Sequence, residues 1–307
     1  MRTLLLGFLL SGIVAQGQTP PASPPLIREN ATVKVSDHVY VIPDNSVGLV
    51  PNVGIIVGSR ATLVVDTGLG PRNGQTILKE VAKVSKNAEL YVVSTHFHPE
   101  HALGEAAFPA TAKVLRAKAQ QQDIDEFGLT TANAFAGRSE INAEFLKDVT
   151  FRKAAEIFDR ERTLDLGGVR VRIFWLNSTH TRGDTLIHVQ GDNVLFAGDV
   201  VMNRRFLSFA SPYASLSGWL NSLDQLEQLN SKTIVPSNGA VGDAKLIAEQ
   251  REYLKALQTR TASLKMQGKS ADEAVQTVTS EIQMRFSNWT NPNAIGPAAR
   301  TAFAEAK

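Results

Sequence analysis

Residues 95–101 read THFHPEH, so three histidines and a glutamate fall within seven residues, directly after the apolar run 90–93. On an extended chain, residues two apart point the same way, so His96 and His98 can present their imidazoles to one ion while Glu100 and His101 face a neighbouring position. His180 and Asp199 arrive at the ends of two other apolar runs. Three neutral imidazoles with an open fourth position are the donor set of a catalytic zinc, which lowers the pKa of bound water to about 7 and so supplies hydroxide at neutral pH. The chain has no cysteine, which excludes thiolate ligands, disulfides and cysteine nucleophiles. Any metal must therefore sit on His, Asp, Glu and similar side chains.

These residues need a sheet to bring them together. Residues 39–42, 54–57, 62–65, 90–93, 169–176, 186–189, 194–197 and 233–235 are short β-rich runs bounded by turn residues, and each predicts a strand. Ile77, Leu78, Val81 and Val84 at helical spacing predict a helix over 73–84, and Trp219 to Leu229 predict another. Residues 110–160 are mixed and charged, with helical stretches around 112–122 and 143–159. They read as a helical insertion covering the site. After Asp243 the pattern is helix only. Leu246, Tyr253, Leu254, Leu257 and Leu264 define one amphipathic helix, and Val275, Val278, Ile282 and Phe286 a second, opened by the capping box Ser270/Glu273.

THFHPEH resembles the HxHxDH signature of the metallo-β-lactamase superfamily. VVDTG at 64–68, STHTRGD at 178–184 and FAGD at 196–199 match further motifs of that family in order and spacing. The resemblance covers residues 31–243 and implies an αββα four-layer sandwich with the site at the edge of its two sheets. It implies that His96, His98 and His180 hold a first metal, that His101 helps to hold a second, that Asp199 bridges them, and that Asp66 supports the ligands from behind. The chain departs from the pattern twice: Glu100 stands where the family has aspartate, and Asn238, in PSNG, where it usually has histidine. The longer carboxylate and the neutral amide oxygen both make the second position poorer for zinc and relatively better for manganese or iron. One firmly held zinc with a weak or non-zinc second ion is the expectation, with Glu100 and Asp199 as the catalytic carboxylates.

The implied function is an exported metal-dependent hydrolase acting on a β-lactam, lactone or thioester carbonyl, with a small-molecule substrate. Two alternatives stay open: a mononuclear iron oxidoreductase of the same fold, and a metal-binding accessory protein whose second site has degraded. Residues 1–17 have a basic start, an apolar stretch too short to span a bilayer, and small residues at 15 and 17; they read as a signal peptide to the periplasm or exterior. Residues 18–30 read as a proline-rich linker, followed by the domain at 31–243 and a helical extension at 244–307. Formal charge is only +2 and the basic residues are scattered, which argues against a nucleic-acid partner. No membrane attachment is expected after signal removal, and the C-terminal helices are free either to cover the insertion or to pair two chains. Arg204 and Arg205, soon after Asp199, are placed to reach an anionic substrate group or to form a solvated turn. Asp184 reads as the residue that caps the turn after His180.

Overall fold

The computed structural model describes residues 23–307, so the expected signal peptide at 1–17 and the first residues of the linker lie outside the described residues. Two sheets stack face to face. The first has seven strands in chain order: β1 (Val33–Lys34), β2 (Val39–Ile42), β3 (Val53–Val57), β4 (Ala61–Val65), β5 (Glu89–Val93), β6 (Lys113–Ala117) and β7 (Glu156–Phe158). The first four form an antiparallel meander and the rest add in parallel. A parallel step needs a crossover, and α1 (Gly70–Val84) supplies it between β4 and β5. It starts three residues before the expected 73, because Pro71 is preorganised for a first helical turn.

Five strands make the second sheet: β8 (Glu161–Asp165), β9 (Arg170–Trp175), β10 (Thr185–Val189), β11 (Val194–Gly198) and β12 (Thr233–Pro236). They are antiparallel except that β12 lies parallel to β11 across the helix Leu216–Gln228. The two-residue period of each strand divides its side chains between layers. In β4, Leu63 and Val65 enter the space between the sheets, whereas Val64 packs under α1. In β11, Val194 and Phe196 meet them from the other side, and Leu195 and Ala197 face the helices outside. Helices on both outer faces complete the expected αββα sandwich.

The segment expected as a helical insertion over 110–160 is shorter. After β5 come α2 (Pro99–Ala102) and a 3-10 turn, and the predicted helix at 112–122 begins instead as strand β6, because pairing with β5 overrides the helix-forming residues of KVLRA. The helical part comprises α3 (Lys118–Asp123), a π turn at Ile124–Gly128, α4 (Leu129–Ala136) and α5 (Glu140–Phe145). Its return toward β7 is fastened by a buried ion pair: Arg116 Nη2 lies 3.0 Å from Glu105 Oε1, and the Arg152 N–H donates to the same oxygen at 2.7 Å.

One other expectation changes. Residues 25–30 are not a free tether: Ile27 is buried beside α1, its N–H donates to Asn73 Oδ1 and the Asn73 amide donates to the Pro25 carbonyl. The expected C-terminal helical extension is present as α7 (Lys245–Met266), α8 (Ala271–Arg285) and α9 (Ile295–Glu305), preceded by α6 at Leu216–Gln228. Their apolar residues join α6 and the outer face of the second sheet in one core, while the insertion packs in a different cluster around Phe135 and Phe145. The Ser270/Glu273 capping box opens α8 as expected. No helix among the described residues is long and apolar enough to cross a membrane.

Candidate metal centre

Adjacent parallel strands β4 and β5 end side by side, with Val65 paired to Val93. Asp66 therefore meets the residues that follow β5. It adopts a left-handed φ of 63°, and its carboxylate accepts from the Thr95 N–H at 2.7 Å and from the Thr95 hydroxyl at 3.0 Å. That fixes the base of the histidine loop. The second sheet approaches closely because Gly198 has no side chain: a Cβ there would lie 2.7 Å from Thr95 Cβ, and its φ of +52° suits glycine.

Three ring nitrogens converge. His96 Nε2 lies 3.0 Å from His98 Nδ1, which lies 3.1 Å from His180 Nε2. Imidazoles about 2.0–2.1 Å from one tetrahedral zinc have nitrogens roughly 3.3 Å apart, so the spacing is close to what the ion requires. His180 is turned into the group because its Nδ1 donates to the Ser208 carbonyl at 2.9 Å. Its backbone is held by Asp184, whose carboxylate accepts the N–H groups of Thr179, His180 and Thr181 and both threonine hydroxyls. The capping role read from the sequence for Asp184 is what the bonds describe.

A second group consists of His96, His101 and Asp199. His101 Nδ1 donates to Asp66 Oδ2 at 2.9 Å, which directs Nε2 toward Asp199 Oδ1, 3.5 Å away. Asp199 Oδ2 lies 3.4 Å from His180 Nε2, so one carboxylate spans both groups. Orientation of a ligand imidazole by a carboxylate behind it is the usual second layer of a metal site.

The electrostatics suit cations. Burial, with the neighbouring imidazoles, pushes His96 and His98 well below the usual histidine range, which keeps both neutral as ligands must be. Burial alone would also lower His101, but Asp66, Asp199 and Glu100 overcome it and raise the group to about 9. Three carboxylates thus demand positive charge at that spot, and a proton or an ion can supply it. Asp199 Oδ1 and Glu100 Oε2 are buried oxygens without a hydrogen-bond partner among the described residues, as oxygens facing a cation site are. The donor set therefore fits a divalent metal.

The structure places both departures from the family pattern, Glu100 and Asn238, at the cavity wall. Glu100 shares the cavity wall but stands outside both groups. Residues 100 and 101 lie on α2, where successive side chains diverge by about 100°, so turning His101 inward turns Glu100 aside. Asn238 also lines the cavity, with Nδ2 donating to the Val50 carbonyl at 3.1 Å. Its loop is clamped from the first sheet: Asn52 donates to the Pro236 and Gly239 carbonyls, and Asp44 accepts the Gly239 N–H.

His98, His101, His180 and Asp199 of these groups form the floor of a cavity of about 490 Å³. Its walls include residues the motif reading did not single out: Phe127, Phe135 and Arg138 from the insertion, and Asn291 from the C-terminal region. Only α4's apolar positions carried a signal for the former. Asp123, 1% exposed, also faces the cavity, accepts the Gly183 N–H at 2.9 Å and lies 3.5 Å from Arg182 Nε. Burial raises its carboxyl to about 7 against these partners. The folded chain thus keeps a proton that the unfolded chain has lost above 3.8, so this residue makes stability fall as pH rises from there to about 7. Asp123→Asn is expected to remove that contribution: the variant's melting temperature should gain on the parent's across this window and level off above it. A difference independent of pH would refute the assignment.

Residues 47–238 match the family model of the metallo-β-lactamase superfamily. Among curated proteins, the chain is 26% identical over 211 residues to the lactamase-like protein aptB of Emericella nidulans, covering 66% of this chain and 55% of that one. It is 22% identical over 263 residues to a linear primary-alkylsulfatase of a Pseudomonas species, covering 73% and 49%. The chain thus spans about half the length of these relatives. Among solved structures, the inverting sec-alkylsulfatase Pisa1 of Pseudomonas sp. superposes with a TM-score of 0.69 at 14% identity, over 89% of this chain and 49% of that one. This fold likeness extends well beyond the segment matched by the family model, into the helical region. Fold, motif order and the converging imidazoles agree, and the chain belongs to the metallo-β-lactamase superfamily.

Proposed function

We propose that the chain is a metal-dependent hydrolase of small-molecule esters or related acyl compounds. The observation that carries this reading is the set of three converging imidazole nitrogens, with Asp199 beside them, at the floor of a cavity of about 490 Å³. That volume falls in the range that encloses a small molecule. A bound zinc ion supplies acidified water and an electrophile for the oxygen of the scissile group. His96, His98 and His180 would hold it; the Ser208 carbonyl fixes the orientation of His180, and Asp66 that of His101 in the neighbouring group. Asp199, spanning the two groups, orients the attacking water. Glu100 Oε2 is available to hydrogen-bond the reacting group, and Phe97, Phe127 and Phe135 restrict water around it. The alkylsulfatase and lactamase-like relatives support hydrolysis as the reaction class.

The test is elemental analysis of protein purified without chelator, followed by hydrolysis assays on lactone, lactam, thioester and sulfate ester. About one zinc per chain is expected, rising in excess metal, with hydrolysis abolished by chelation and restored by zinc. Asn238→His should raise the stoichiometry by completing the second position. One iron per chain with oxygen consumption would replace the hydrolase by an oxidoreductase, and bound zinc without any hydrolysis would point to a binding protein.

A further inference from the structure

Two rims face each other across the cavity. One is the insertion, through Phe127, Thr130 and Phe135, and the other is the segment before α6, through Ser208, Ala210 and Pro212. Just outside the lining they touch. The Phe127 and Tyr213 rings lie 6.1 Å apart between centroids, and the Tyr213 hydroxyl reaches the Glu126 carboxylate at 3.5 Å. Arg182, two residues after His180, completes the group: its guanidinium pairs with Glu126 and lies 4.0 Å from the centre of the Tyr213 ring. Three segments thus meet in one clasp, although Glu126 and Tyr213 are 87 residues apart in the chain.

The anchors of the insertion are much firmer than the clasp. α3 is seated on both histidine-bearing loops: Gln120 Nε2 donates to the Ser94 carbonyl at 3.1 Å, Asp123 accepts the Gly183 N–H, and a Cβ on Gly183 would lie 2.2 Å from Gln120 Cα. Beyond α4, Phe145 is buried with Leu69 and Leu103, and the Asn142 amide donates to the Phe135 carbonyl. Between these anchors, the polar contacts of the π turn and α4 with residues outside the insertion run through Glu126 alone, among the described residues. The π turn is a widened stretch of helix of the kind that recurs at functional sites. The Glu126 and Arg182 side chains are 48% and 19% exposed, and an ion pair in such a place contributes about 0–1 kcal/mol. The clasp therefore fixes a position of the rim and not the fold of what it joins.

We propose that Glu126, Arg182 and Tyr213 set the length of the acyl group the protein accepts, by closing the cavity wall between the insertion and the segment before α6. The wall there is apolar, with Phe127, Ala210 and Pro212, and the Tyr213 ring stands behind it. A hydrocarbon chain whose reacting end sits at the metal floor runs along this wall and must stop or turn at the clasp. Without the ring it passes between the two rims to solvent. The inference rests on the hydrolase reading for its kinetic test and on binding alone for its second test.

The experiment compares the zinc-loaded full chain with Tyr213→Ala, Tyr213→Phe and Glu126→Gln on 4-nitrophenyl butyrate and 4-nitrophenyl decanoate. In Tyr213→Ala the ratio of kcat/KM for decanoate to that for butyrate is expected to rise by roughly 10-fold or more, the scale on which an apolar wall discriminates a methylene. Glu126→Gln should raise it less, since the ring stays in place. Tyr213→Phe should keep the parental ratio, because it retains the ring and the guanidinium over it. The gain should appear as a lower KM for decanoate, with kcat on butyrate moved far less, whereas a merely structural role would lower the rates on both esters together. An unchanged ratio in Tyr213→Ala overturns the proposal, as does a wild-type preference for decanoate. If the wild type hydrolyses neither ester, the hydrolase reading fails by itself. Calorimetric binding of butyrate and decanoate to the same zinc-loaded proteins then decides: decanoate binding gained in Tyr213→Ala supports the clasp, and decanoate binding equal in the two proteins, or absent from both, overturns it.

Discussion

His98→Ala is expected to leave a folded chain that holds no metal at the three-imidazole position and hydrolyses its substrate about 10³-fold more slowly or worse, since a metal ion supplies several kcal/mol of transition-state stabilisation. The structure explains why the fold should tolerate the change. His98 is half-buried at the start of α2, and its ring contacts are chiefly His96, His180, Phe97 and Phe135 around the cavity. No strand depends on it. Its removal opens one side of the group, and the two remaining nitrogens cannot complete a tetrahedral set. Asp66→Ala makes the graded comparison. It removes only the partner of His101 Nδ1 and of Thr95, so metal affinity at the position of His96, His101 and Asp199 should fall by about 10–100-fold, the usual cost of losing a group behind a ligand. Metal content after dialysis, read beside the far-UV circular dichroism, checks both. A His98→Ala protein with parental zinc content would sink the assignment of the first position.

The largest expected loss of stability comes from a residue with no part in the chemistry. Glu105 is fully buried, and Arg116, which it pairs, is 3% exposed. Glu105→Ala leaves that guanidinium in the interior without its counter-ion, at a cost of about 3–5 kcal/mol. For a chain of this size the melting temperature should drop by roughly 10 °C. Arg116 also donates to the Arg152 carbonyl and Arg152 to the Phe108 carbonyl, so the return from the insertion into β7 loosens together with the pair. Lys79→Ala is the control: its partner Glu29 is exposed, as Lys79 is, and such surface pairs contribute about 0–1 kcal/mol. Equal shifts for the two variants would mean that Arg116 finds water when its partner is gone.

The parts of this molecule legible in the sequence are those whose physics is local. Metal ligands two and three residues apart must declare themselves, as His96, His98 and His101 do. Strands buried on both faces carry apolar runs, as β3 (VGIIV), β4 (ATLVV) and β11 (VLFAG) do. β8 (ERTLD) escaped because its half-exposed position lets charged residues in, and only pairing with β9 makes it a strand. β6 was misread because alanine, lysine and arginine favour helix in isolation. α9 (IGPAARTAFAE) went unseen because it packs through alanines, Ala298, Ala299 and Ala302, which give little amphipathic contrast. That Arg205 lines the cavity and Arg204 does not was beyond local reasoning. It depends on Thr290 and Asn291, 86 residues away in the chain, which set the backbone around both.

Asp199 spans nitrogens from two sheets, His101 after β5 and His180 before β10, and this geometry has a consequence for how the sandwich assembles. The first sheet contributes His96, His98 and His101 within six residues, but it cannot complete either group until strands beginning more than 80 residues later have docked against it. An ion bound here acts as a staple across the seam between the layers, and its binding energy adds to their docking by mass action. The apo protein should therefore loosen first along that seam. Its two layers keep their own hydrogen-bonded ladders while the edge that carries the histidines breathes, so metal loading sets how tightly two otherwise complete halves of the molecule close.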